Sequence, residues 1–296
     1  MDTLYEAVAA KGPVCVGLDT VADYIPPAER RKAASEAGAI LAFNLALIDG
    51  TADAAACYKV QIACYEALGL AGLETYAKTL RCIRERGIPV IADIKRGDIA
   101  DMALRYAAAH FSGDFEADFV TLSPYMGMDS IEPWLSWADK AGKGAFVLMR
   151  TSNRGMRDFE YQELKSGGRL YDAVGTKLAE LAAGRSGVHG YGVFGAVIGC
   201  TEREEAAAIR KKGRNLFFLI PGYGAQGGAA EDAALLLCDG NGGVVNASRS
   251  LLRAWMPAAA EEDPDRVNNV RAAEAARRAL IEMRDAIRAA AGPAKT

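Results

Sequence analysis

In the segment Val90-Ile91-Ala92-Asp93-Ile94-Lys95-Arg96-Gly97-Asp98, a carboxylate and an ammonium stand two positions apart at the end of an apolar run. Residues two apart on an extended strand share a side, so Asp93 and Lys95 project together with Ile91. A lysine held against a carboxylate in a partly desolvated mouth stays protonated near neutral pH and can donate that proton. The same residues read equally well as an ordinary ion pair at a strand end, with Asp98 capping the helix that follows.

Other charged residues interrupt apolar runs in the same way. Gly17-Leu18-Asp19 ends one run, and Lys59 lies inside Tyr58-Lys59-Val60-Gln61. A charge within an apolar strand is costly unless paired, so Lys59, Asp93, Lys95 and Asp98 are expected to form an array of alternating sign in one mouth. Two further segments suit an anion. Pro221-Gly222-Tyr223-Gly224-Ala225-Gln226-Gly227-Gly228 is rich in glycines that let backbone N–H groups approach a phosphate, and Asn246-Ala247-Ser248-Arg249-Ser250 offers a forked donor in Arg249. The first is also readable as a plain glycine-rich turn and the second as a solvated arginine, but together they favour phosphate binding. Arg150-Thr151-Ser152-Asn153 can bond a polar heterocycle or start a turn, and Ser123-Pro124-Tyr125 is read as shaping its loop.

These residues need elements to position them. Eight short apolar runs recur: Val14–Leu18, Tyr58–Ile62, Pro89–Ile94, Asp118–Leu122, Ala145–Met149, Gly195–Gly199, Leu216–Ile220 and Gly243–Asn246. Between them lie amphipathic stretches such as Tyr65–Arg86, Ile99–Phe111 and Glu202–Lys211, with a further helix expected near Arg169–Ala183 inside the long connection Arg150–Tyr191. Strands alternating with helices predict a parallel sheet covered by helices, and eight units favour a closed (β/α)8 barrel, an α/β fold of the TIM-barrel type. Its strand ends, and the loops after strands seven and eight, are where such barrels place chemistry and phosphate. In Ile99–Phe111, the spacing of Ile99, Met102, Ala103, Tyr106, Ala107 and His110 predicts one inward face. From Arg266 to Ala291 a stripe of Val270, Ala273, Leu280, Met283 and Ile287 predicts an outer helix sealing the barrel, with a frayed end at Gly292–Thr296. The expectation is one barrel domain over residues 1–296, with 263–296 as its outer helix and tail.

Composition narrows the function classes. With 35 basic and 38 acidic residues, the net charge of −3 gives no global attraction to nucleic acid or anionic lipid. Cys15, Cys57, Cys64, Cys82, Cys200 and Cys238 form no CxxC pair and read as core residues of a reducing compartment. His110 and His189, the only histidines, have no His or Cys at metal-ligand spacing, so no metal is expected. The opening MDTLYEAVAAKGPV lacks the pattern of a secretory signal, and no apolar run is long enough to span a membrane. The expected location is cytoplasmic.

The set Asp93-Ile94-Lys95-Arg96-Gly97-Asp98-Ile99 resembles the DxKxxDI signature of orotidine 5′-monophosphate decarboxylases. Thr121-Leu122-Ser123-Pro124-Tyr125-Met126-Gly127, Arg150-Thr151-Ser152-Asn153 and Pro221–Gly228 resemble the longer bacterial, type 2 subgroup. DxKxxD is shared with related barrel enzymes; the combination with RTSN and PGYGAQGG is far more specific. The resemblance runs from Gly17 to Arg249 in the family's order. It implies release of CO2 from orotidine 5′-monophosphate to give UMP, in pyrimidine biosynthesis, with Lys95 stabilising and then protonating the C6 carbanion. It implies Asp93 beside the departing carboxyl group, Asp98 donated across a homodimer interface into the neighbouring site, and Asp19 and Lys59 on the ribose hydroxyls. It further implies Ser152 on the pyrimidine, Gln226 and Arg249 on the phosphate, and no cofactor. One departure is Met102, where the family carries a threonine that reaches the ribose. The rival readings are a Mg-dependent sugar-phosphate lyase or decarboxylase and an inactive nucleotide-binding barrel. The first would want an acidic ligand near the second strand, where Gln61 stands.

Overall fold

In the computed structural model the apolar runs become strands β1 Val14–Leu18, β2 Cys57–Gln61, β3 Val90–Arg96, β4 Phe119–Leu122, β5 Gly144–Arg150, β6 Phe194–Ile198, β7 Phe218–Ile220 and β8 Gly243–Ala247. The structure describes residues 1–224, 226–259 and 264–292. All pairings are parallel and follow chain order, and β1 pairs with both β2 and β8, which closes the barrel. Closure explains the composition of the strands. A strand packed by helices outside and by side chains inside has no wet face, so β1, β6 and β8 are buried at every position. Among the described residues, no helix is long and apolar enough to cross a membrane.

Two apolar layers result. Outside, the helices pack on the strands in one large core. Inside, a smaller cluster including Ile91, Phe119, Phe146, Phe217 and Val244 fills the N-terminal half of the barrel. The helix Asp2–Lys11, not expected from the sequence, presses Leu4 and Val8 into this cluster and closes the bottom. Within the barrel interior this leaves the C-terminal mouth for the charged residues.

The stretch Tyr65–Arg86 is two helices, Ala63–Glu66 and Gly69–Glu85, divided at Gly69, whose φ of 64° is left-handed. The helix Ala100–Phe111 buries Ala103, Ala107, His110 and Phe111, while Ile99, Met102 and Tyr106 remain 50%, 48% and 37% exposed. Its apolar residues therefore cover two faces, of which one packs on the barrel. The last helix spans Asn269–Ala291, and the Asn268 side chain accepts the Arg271 N–H as its cap. Ala273, Leu280, Met283 and Ile287 are buried as expected, but Val270, in the first turn, is exposed. Residue 263 and the tail 293–296 lie outside the described residues. The helix expected near Arg169–Ala183 is found at Leu170–Ala183.

His110 is buried against the Phe115 ring, and burial, together with the nearby Arg96 cation, lowers its pKa from 6.5 to about 4. Folding thus favours the neutral imidazole. The stabilisation is complete above the unfolded value and is lost as pH falls from 6.5 towards 4. Replacing His110 by Phe is expected to remove about 3 kcal/mol of the acid-induced loss of stability across that window. Urea denaturation of both proteins at stepped pH reads this directly; parallel stability curves would contradict it.

Candidate active site

Asp93 lies opposite Gln61 in the β2–β3 register, and Lys59 lies opposite Ile91, one step deeper. Both charged side chains are almost wholly buried. The Asp93 carboxylate accepts four hydrogen bonds. Oδ1 receives Lys95 Nζ at 2.6 Å and Thr121 Oγ1 at 2.8 Å; Oδ2 receives Lys59 Nζ at 2.8 Å and Gln61 Nε2 at 3.0 Å. A carboxylate offers about four lone-pair sites, so this one is saturated. Burial opposes its ionisation, but the Lys59 and Lys95 ammoniums outweigh burial and hold it well below the usual carboxylate range.

Lys59 links this centre to β1. Its Nζ also donates to Asp19 Oδ1 at 2.9 Å, and Ser248 Oγ donates to Asp19 Oδ2 at 2.8 Å. Burial by itself would lower the Lys59 pKa, yet Asp19 and Asp93 together raise it above the ordinary lysine value. The order Asp19, Lys59, Asp93, Lys95 alternates in sign, as the sequence predicted for three of its members. Ser248 fits over β1 because residue 17 is glycine; a Cβ there would overlap Ser248 Oγ.

Lys95 differs from its neighbours. Its side chain is 47% exposed and its backbone adopts φ 45°, a left-handed conformation rare in a non-glycine residue. It reaches into a cavity of about 530 Å3 at the C-terminal ends of the strands, which Asp19, Lys59 and Asp93 also line. Ser152, Gln226 and Arg249 line the same cavity, on the loops after β5, β7 and β8. Gly222 turns the loop after β7 with φ 103°, and Gly228 N–H bonds back to Gly222 O at 3.1 Å. Ala225, within this loop, lies outside the described residues. Asp98 is not brought to this cavity by its own chain. It accepts the Ile99 N–H at 2.8 Å, and the cap position of the helix Ala100–Phe111 is Ile99, so the alternative reading of Asp98 as the helix cap is not realised.

The RTSN segment divides its work. Arg150 is fully buried and its guanidinium bonds to the carbonyls of Gly199 and Glu202, which ties β5 to the end of β6. Thr151 is anchored to Glu160 through its N–H at 2.8 Å and its hydroxyl at 2.7 Å, leaving Ser152 to face the cavity. Thr121, Gln61 and Ser248 join the site without a role expected from the sequence. Thr121 carried the same signal as Lys59, a polar residue within an apolar strand, but a threonine is too common in strands to draw notice.

A closed barrel with a charged cavity at its C-terminal mouth is the architecture of a barrel enzyme. The family model described as orotidine 5′-phosphate decarboxylase / HUMPS matches residues 12–263. An orotidine 5′-phosphate decarboxylase of Clostridium perfringens is 54% identical over 289 residues, covering 98% of each chain. The structure of Leishmania donovani OMP decarboxylase superposes with a TM-score of 0.75 at 32% identity, over 98% of this chain and 97% of that one. That of Leishmania donovani UMP synthase gives a TM-score of 0.74 at 35% identity, and this chain spans 56% of its length. The chain belongs to the orotidine 5′-phosphate decarboxylase / HUMPS family.

Proposed function

We propose that the protein decarboxylates orotidine 5′-monophosphate to uridine monophosphate and CO2, a step of pyrimidine nucleotide synthesis, in the cytoplasm. The observation that carries this reading is Lys95, whose side chain is half exposed at the cavity yet whose Nζ is bonded to a buried, saturated Asp93. In the reaction the bond between C6 and the carboxyl carbon breaks, CO2 leaves and the electron pair stays on C6. The pyrimidine ring stabilises that pair poorly, so a fixed cation beside C6 lowers the barrier. Lys95 supplies the cation and then transfers an N–H proton to C6, regaining one from solvent.

Asp93 serves by aiming Lys95 and by presenting a carboxylate where the substrate carboxyl group departs. Asp19 and Lys59 are placed for the ribose hydroxyls and Ser152 for the pyrimidine. Gln226 and Arg249, with the glycine loop, take the phosphate. Binding energy gained at the phosphate, far from C6, organises the reacting end.

The protein acts as a homodimer in which Asp98 enters the partner's site. Support comes from the apolar stripe beside Asp98: Ile99, Met102 and Tyr106 are left exposed by the barrel. Met102, in place of the threonine implied by the resemblance, adds to this apolar surface.

Replacing Lys95 by Ala is expected to lower turnover about 10⁴-fold while the protein stays folded, since a half-exposed side chain adds little to the core. Following the absorbance of orotidine monophosphate checks this, and near-normal turnover would sink the assignment. Mixing Lys95→Ala with Asp98→Ala subunits is expected to restore about a quarter of the wild-type sites, through heterodimers with one intact site each. No recovery after confirmed subunit exchange would exclude a shared site.

A further inference from the structure

The β3–β4 ladder is irregular where the chemistry sits. Ala92 pairs with Val120 and Arg96 with Leu122, so Asp93, Ile94 and Lys95 all stand against the single residue Thr121. Such a bulge leaves backbone N–H groups without ladder partners. Here the Thr121 hydroxyl replaces them, accepting the Ile94 N–H and the Lys95 N–H at 3.0 Å each. A backbone N–H can only donate, so both lone pairs of the hydroxyl are taken and its own proton must go elsewhere. It goes to Asp93 Oδ1 at 2.8 Å, an acceptor that also holds Lys95 Nζ.

We propose that Thr121 is a positioning residue of the reaction, its hydroxyl fixing both the left-handed turn that presents Lys95 and the orientation of the Asp93 carboxylate. The inference rests on the decarboxylase reading and assigns Thr121 no contact with substrate. Although Thr121 borders the cavity, its one proton and two lone pairs are all committed within the protein. It acts through Lys95, from the backbone side and from the side-chain side at once. The left-handed backbone at Lys95 is unfavourable for a residue with a Cβ, so it persists only where neighbouring groups hold it. Thr121 is also buried, which keeps water from taking over its three bonds.

The test compares Thr121→Val, which keeps the shape and loses the hydroxyl, with Thr121→Ser, which keeps the hydroxyl. Orotidine monophosphate turnover and binding of the product UMP are measured for each, beside the wild-type chain. A reacting group displaced by about 1 Å loses on the order of 10²-fold in rate. Thr121→Val is therefore expected to lower kcat about 100-fold, with KM and UMP affinity within about threefold of wild type. Thr121→Ser should recover kcat to within about threefold. Wild-type kcat in the valine variant would overturn the inference, as would a serine variant as impaired as valine. So would a loss of UMP binding that matches the loss of kcat, since the residue would then be holding up the whole cavity. If the valine variant does not fold, Thr121→Cys, with similar bulk and a weak donor, carries the same expectation and the same contrary outcomes. Absence of turnover in the wild-type chain would instead overturn the decarboxylase reading itself.

Discussion

A carboxylate almost wholly removed from water is costly to ionise, and Asp93 remains charged because two ammoniums, an amide and a hydroxyl converge on it. Four strands bear on this one group. β2 supplies Lys59 and Gln61, β3 carries Asp93 and Lys95, β4 supplies Thr121, and β1 is tied in through Asp19 at its end. Removing a partner from such a set leaves an uncompensated buried charge, which costs about 3–5 kcal/mol in comparable sites. The geometry at Lys95 is thus fixed by the requirement that every member of the network be satisfied.

The rest of the barrel can be understood as making that network possible. The N-terminal half of the interior is filled by aromatic and aliphatic side chains and closed by the helix Asp2–Lys11, which confines polar groups to the opposite mouth. Within the mouth, Lys59 lies deepest and has two carboxylates; Lys95 lies outermost, with one carboxylate and access to the cavity. A lysine neutralised on two sides is suited to structure and substrate binding, whereas one anchored on a single side keeps protons free to transfer. The two lysines thus differ in depth and pairing in the sense that their proposed roles require.

Much of this was legible in the sequence. Eight apolar runs gave the strands to within a few residues because parallel barrel strands are buried on both faces, and Lys59 stood out as a charge inside such a run. Strand order placed the loops after β7 and β8 at the phosphate end, while Ser152 and Gln226 were singled out only by the family resemblance; all three of Ser152, Gln226 and Arg249 line one cavity. What periodicity could not resolve was which of two apolar faces packs inward: Ile99, Met102 and Tyr106 repeat at helical spacing yet face outward, while small Ala103 and Ala107 pack on the barrel. Arg150 appeared beside candidate site residues but is spent on carbonyls of the β6 end. Thr121 was hidden because its importance arises from a bulge, and a bulge has no signature in an otherwise regular run of strand residues.

The buried Asp93 is a permanent carboxylate held by Lys59 and Lys95. Carbon-13 NMR of its carboxyl carbon as a function of pH tests this most directly. Both cations favour the ionised form, so the resonance should keep its carboxylate shift from about pH 8 down through about pH 4, where an ordinary aspartate is half protonated. A titration midpoint at or above that ordinary value would mean that burial outweighs the two lysines, and the network described here would not exist.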